Sequence, residues 1–121
     1  MKSEKKIGTA TFTQAYTPEK RDEADMLERA FIQVIVDRVE EMGVKYKAFA
    51  TQVWPELSSA SAQGKFNEMR KYSYKTGKPQ RISISAAARM AAFFGEDLAY
   101  LLSVAKEQVK RNIYKNQTLK D

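Results

Sequence analysis

The run SSASAQGKFNEMR, Ser58 to Arg70, sets hydrogen-bonding side chains among very small ones, directly ahead of dense positive charge. Between positions 65 and 81 stand six bases, Lys65, Arg70, Lys71, Lys75, Lys78 and Arg81, against one acid, Glu68. The chemistry such residues support is non-covalent: recognition of a polyanion by charge and hydrogen bonds. A solvated basic loop would show the same charge. Covalent chemistry has few candidates. The chain has no Cys and no His, which excludes disulfides, thiolate zinc sites, cysteine nucleophiles and every histidine-dependent mechanism. The adjacent carboxylates Glu40–Glu41 and Glu96–Asp97 would point to different faces of a helix and make no acid–base dyad. Gly64 and Gly77 are isolated, and no Gly-Lys-Ser/Thr phosphate loop occurs. The chain therefore reads as a non-enzyme with no catalytic residues, no metal site and no cofactor.

The whole chain has 121 residues and a formal net charge of +6, a length suited to one domain. Residues 1–44 carry seven basic and nine acidic side chains, whereas 45–121 carry fourteen and six. The positive charge is thus segregated, as expected for a polyanion footprint. No long apolar run suggests a membrane span. Lys2, Lys5 and Lys6 precede no apolar segment, so no export signal is read and the expected location is cytoplasmic.

Five helices are expected to hold these residues, an all-α chain. Residues 1–16 lack helical periodicity and read as an N-terminal arm, either disordered or a short strand. Thr17-Pro18 marks a helix start, and Leu27, Phe31, Val34, Ile35, Val39 and Met42 repeat at helical spacing up to a stop at Gly43. Ile32 and Val36 widen that stripe, which suits either deeper burial or a second contact surface such as a dimer interface. Tyr46, Phe49, Ala50 and Val53 form one face of a short second helix that Pro55 stops. Trp54, beside that stop, is read as a hydrophobic plug. Ser58 or Ser59 caps a third helix, with Ala62, Phe66 and Met69 on its buried side. That periodicity argues against a linker. A basic loop with a turn at Thr76-Gly77 follows. Ser83 or Ser85 caps a fourth helix, whose apolar side is read as Ile84, Ala87, Ala88, Ala91 and Phe94, broadened by Met90 and Phe93. Gly95 ends it. Asp97 caps a fifth helix with Leu98, Leu101, Leu102 and Ala105, and Val109 and Ile113 extend its pattern into the tail. Met26, Met42, Met69 and Met90 are expected in the core.

A short helix, a tight connection and a polar-faced helix form a helix-turn-helix, whose second helix can enter the major groove. From about Leu27 to Leu102 the chain resembles the lambda-repressor-like helix-turn-helix domains of phage and bacterial regulators. Gly43-Val44, Phe49-Ala50 and the run ISISAAARMAAFFGEDLAYLL carry the resemblance in order and spacing. The chain departs from the family in having Lys45-Tyr46 where Ser or Thr then Gln is common, Trp54-Pro55 where Gly is common in the turn, and a long loop from Lys71 to Arg81.

The resemblance implies a compact five-helix domain over 17–105, between the arm at 1–16 and a helical tail at 106–121. It also implies a sequence-specific regulator of repressor type that binds double-stranded DNA as a homodimer. The helix at 58–70 would be its reading helix. Ser58, Ser59 and Ser61 and the helix N-terminus would then hold phosphate. Gln63 and Asn67 could each pair with adenine, and Lys65 could reach guanine. Gly64, costly by about 1 kcal/mol inside a helix, invites either close approach to DNA or close packing on the first or fourth helix. Lys45, Tyr46 and Lys47 open the second helix, where the lysines face backbone phosphate. Arg70, Lys71, Lys75, Lys78 and Arg81 would flank the groove, with Tyr72 and Tyr74 near them. Six phosphate contacts would give log K a slope of about −5 against log salt. A second possibility is a protein-interaction module, such as an antitoxin-like or adaptor protein, that binds its partner through the terminal segments.

Overall fold

The computed structural model describes residues 18–71 and 82–120, with side chains over 23–71 and 82–112. The arm, Thr17, Tyr72, Tyr74, Lys75, Lys78 and Arg81 lie outside the described residues, as does the side chain of Ile113. Among the described residues there are five α-helices and no strand. They are α1 (Pro18–Met42), α2 (Tyr46–Val53), α3 (Ser59–Arg70), α4 (Ile84–Phe93) and α5 (Leu98–Lys120). Helices α1 and α5 pack along each other; α2 packs on α3 and α4, α3 touches α1, and α4 touches α5. None of the described helices is long and apolar enough to cross a membrane.

Local chemistry sets the helix ends. Gly43 has φ 72° and Gly95 has φ 66°, the left-handed region where an L side chain is strained. Both close the same motif. Gly43 N–H donates to the Glu40 carbonyl (3.0 Å) and Val44 N–H to Val39 (3.2 Å); Gly95 donates to Ala92 (2.9 Å) and Glu96 to Ala91 (3.1 Å). At the other ends Ser58 Oγ accepts from Ser61 N–H (3.1 Å) and Ser83 Oγ accepts from Ala86 N–H (3.0 Å), so Ser58 and Ser83 are the caps. Helix α2 stops at Trp54, which is 3% exposed and seated in the core as a plug. Helix α5 runs on past position 105 without a break, and Val109 is still buried.

The core centres on Phe49. Its ring centroid lies 4.9 Å from Phe66, 4.8 Å from Phe93 and 5.7 Å from Phe94, tying α2 to α3 and α4 through aromatic contacts. Around it pack Phe31, Ile35, Val39, Met69, Met90, Leu101 and Ala105. Ile32 is buried and Val36 is half-buried against the same cluster. The domain itself therefore takes up the wide stripe of α1, and the stripe gives no support to a dimer interface.

Three core assignments need correction. Met26 is half-buried and stands outside the core cluster. Met42 is 56% exposed. The turn at Gly43 carries the chain away, and Val44, partly buried in the cluster, takes the place expected for Met42. On α4 the buried face is Ala86, Ala87, Met90 and Ala91, while Ile84 is 80% exposed and Ala88 is exposed. Met90 turns inward to full burial with Ala86, one turn before it, while Phe93 is half-buried against the cluster.

Polar links fix the relative placement of these helices. Arg38 on α1 pairs with Glu96, at the turn before α5, at 2.9 Å. Glu28 on α1 accepts the Ile82 N–H at 2.5 Å, just before α4. Arg89 on α4 donates to the Val53 carbonyl at 3.0 Å and to Glu56 at 2.8 Å. It thereby satisfies an orphan carbonyl at the end of α2 and clamps the α2–α3 turn.

Candidate functional site

Helix α3 buries Ala62, Phe66 and Met69. At 3.6 residues per turn this turns Ala60, Gly64, Asn67 and Lys71 outward on the opposite side. Ala60, Gly64 and Lys71 are exposed and Asn67 is half-buried. The cap uses Ser58 Oγ, and the first in-helix bond runs from Ala62 N–H to the Ser58 carbonyl at 2.8 Å. The N–H groups of Ser59 and Ala60 are left pointing out of the helix start. Ser58, Ser59 and Ser61 are all exposed there.

A Cβ built at Gly64 has no neighbour within 4 Å among the described residues. Packing on α1 or α4 is therefore not the reason for glycine. Its φ is not in the left-handed region either. Gly64→Ala is accordingly expected to raise stability by about 0.5–1 kcal/mol, measured as a higher midpoint in chemical or thermal unfolding.

The two flanks of α3 differ. On one side Lys45, Tyr46 and Lys47 at the start of α2 join Gln63, Glu40 and Val44 around an open hollow of about 400 Å³. Lys45 and Lys47 are exposed, and Lys45 occupies the cap position of α2 without a side-chain cap bond. On the other side Lys65 lies 5.7 Å from the Trp54 ring centroid, a cation–π contact at the edge of the turn. Lys71 closes α3, its N–H bonded to the Asn67 carbonyl at 2.9 Å.

Arg70 is placed differently from a free phosphate clamp. Its guanidinium carbon lies 4.0 Å from the Tyr46 ring centroid and 5.7 Å from that of Phe66, and its Nη2 donates to Asn67 Oδ1. Tyr46 in turn donates its hydroxyl to the Glu40 carboxylate. That bond, helped by burial and opposed by Arg70, raises the Tyr46 hydroxyl above its ordinary value of about 10. The folded state thus holds this proton more tightly than the unfolded chain. The associated stability is complete below pH 10 and is lost as pH rises through the raised value. Tyr46→Phe is expected to flatten the alkaline decline of stability above pH 10, read from urea midpoints across pH.

The structure thus gathers Lys45, Tyr46, Lys47 and Gln63 in one hollow, Asn67 and Arg70 beside it, and Ser58, Ser59, Ser61, Lys65 and Lys71 along the rest of α3. Lys75, Lys78 and Arg81 fall outside the described residues. Sequence reading missed Arg89 and the Glu40–Tyr46–Arg70–Asn67 chain, because their partners lie on other elements; Arg89 and Glu56 are 33 positions apart. Its own backbone N–H, and then the bond from Arg89, hold the Glu56 carboxyl below the usual range. Among the described residues no group of three or more carboxylates is gathered as a metal site would need. No protein-family model, no curated protein and no solved structure matches the chain.

Proposed function

We propose that the chain is a sequence-specific, DNA-binding transcriptional regulator of repressor type, with a lambda-repressor-like helix-turn-helix formed by α2 and α3. Helix α3 enters the major groove of double-stranded DNA, and the N-terminal end of α2 faces the phosphate backbone. The observation that carries this reading is the outward side of α3. It is small, polar and open, with a mid-helix glycine that no contact among the described residues requires. Four exposed lysines flank it, Lys45, Lys47, Lys65 and Lys71. Small side chains let the backbone approach base edges, and lysines neutralise the phosphates on either side.

The dimer is part of the proposal through half-site logic alone, since two reading helices one DNA turn apart need two copies. Fluorescence anisotropy on a labelled random-sequence duplex, repeated across salt concentrations, tests the reading. It should give micromolar binding and a log–log salt slope of about −5. A folded sample that binds no duplex at low salt would remove it. Light scattering with operator-length duplex should give two copies of the chain per duplex.

A further inference from the structure

Gln63 and Asn67 are both carboxamides on α3 and four residues apart, yet their surroundings are unlike. Gln63 sits in the hollow beside Lys45 and Lys47 and has no hydrogen bond to any described residue, so it keeps a donor and an acceptor. Asn67 faces Arg70, whose guanidinium carries only donors. The Asn67 atom that meets it is therefore the carbonyl oxygen, and the bond is formed. Arg70 has little freedom to release it. Its guanidinium sits in the aromatic corner of Tyr46 and Phe66, its Nε is buried with no partner among the described residues, and Glu40 anchors Tyr46. With the oxygen bonded to Arg70, the amide hydrogens of Asn67 are left without a partner among the described residues, on the side of α3 that carries Gly64 and Lys71.

Pairing with adenine needs both ends of a carboxamide: the amide donates to N7 while the carbonyl accepts from the N6 amino group. Arg70 takes one of the two lone pairs of the Asn67 oxygen, so an adenine amino group would have to bond the second beside a cation that already draws on that oxygen. Guanine presents two acceptors in the major groove, N7 and O6, and asks for donors only. We propose that Asn67 is a specificity-determining residue that favours guanine, with Arg70 as the positioning residue that weakens its contact with adenine. Gln63, with both ends free, is left as the carboxamide able to pair with adenine. The assignment rests on the DNA-binding reading above and replaces the adenine contact that residue type alone suggested for Asn67.

Selection from a random duplex library, followed by affinity measurement on guanine and adenine versions of the selected site, tests it. Two variants are used beside the wild type. Asn67→Asp keeps an acceptor for Arg70 but loses both amide donors. Arg70→Met keeps an apolar stem against Tyr46 and frees the Asn67 oxygen. Thermal melts establish that each is folded. The wild type should select guanine at one position of the half-site, about tenfold over adenine. Asn67→Asp should lose that preference at that position alone, and Arg70→Met should move it toward adenine by a similar factor. A wild-type site with adenine at the position that responds to Asn67 overturns the assignment, as does a selected site indifferent to Asn67→Asp. These results leave the DNA-binding reading standing. Failure of the wild type to retain any duplex overturns that reading and the assignment with it.

Discussion

Replacing Lys45, Lys47, Lys65 and Lys71 together by alanine is expected to weaken duplex binding by roughly a thousandfold at 0.1 M salt. Each phosphate neutralised contributes about −0.9 to the slope of log K against log salt, so four account for about −3.6. Between 1 M salt, where this contribution is nearly gone, and 0.1 M, the same slope amounts to roughly three and a half decades. The salt dependence should flatten by the same −3.6, which distinguishes lost phosphate contacts from a damaged fold. All four side chains are exposed, and none takes part in an ion pair among the described residues. The variant should therefore melt close to the wild type. A slope unchanged within one unit would mean that the positive charge of this face is only solvated surface.

The largest expected loss of stability belongs to Phe49→Ala, at about 3–5 kcal/mol. Phe49 is fully buried and touches Phe66, Phe93 and Phe94 on two other helices. Its removal leaves a void where α2, α3 and α4 meet, and the rigid neighbouring rings are poorly placed to refill it. Against a typical total of about 5–15 kcal/mol, such a loss should lower the melting temperature by roughly 15 °C. Met42→Ala provides the contrast. Met42 is more than half exposed, and its truncation should cost under about 0.5 kcal/mol. Circular dichroism melts of both variants check the pair; equal losses would contradict the core described above.

That contrast also separates what was legible in the chain from what was not. The glycine stops at Gly43 and Gly95, the caps at Ser58 and Ser83, the plug at Trp54 and the stripe Ala62–Phe66–Met69 are local, within one or two turns of backbone. Residue type and spacing determine them, and the structure places them as read. Met42 and Ile84 were misjudged because both stand at helix ends. There periodicity still counts them on the stripe, but the chain direction has changed or not yet settled. The face of α4 was misread for a related reason. A helix rich in alanine offers weak directional information, and the fully buried Met90 marks the face that turns inward.

The candidate site divides along the same line. Exposure of Lys45, Lys47, Lys65 and Lys71 follows from lysine on the polar side of short amphipathic helices. The stacking of Arg70 on Tyr46 joins α3 to α2, and the tie from Tyr46 to Glu40 joins α2 to α1. A list of residue types holds neither contact. Without them Asn67 reads as a second Gln63; with them one lone pair of its oxygen belongs to Arg70. Gly64 runs the other way: its sequence position raised two explanations, and the open space around it removed one.

The most direct measurement uses that open space. Gly64→Leu adds a side chain whose Cβ meets nothing within 4 Å among the described residues and a better helix former by about 0.8 kcal/mol, so the variant should melt at or above the wild-type temperature. On DNA the same side chain would stand between α3 and the base edges. Anisotropy on a duplex selected by the wild type, with melts of both proteins in parallel, should show affinity lowered by at least about 30-fold while stability holds or rises, a loss of roughly 2 kcal/mol in binding. Equal affinity of Gly64→Leu and wild type for that duplex would contradict the reading that the outward side of α3 meets DNA.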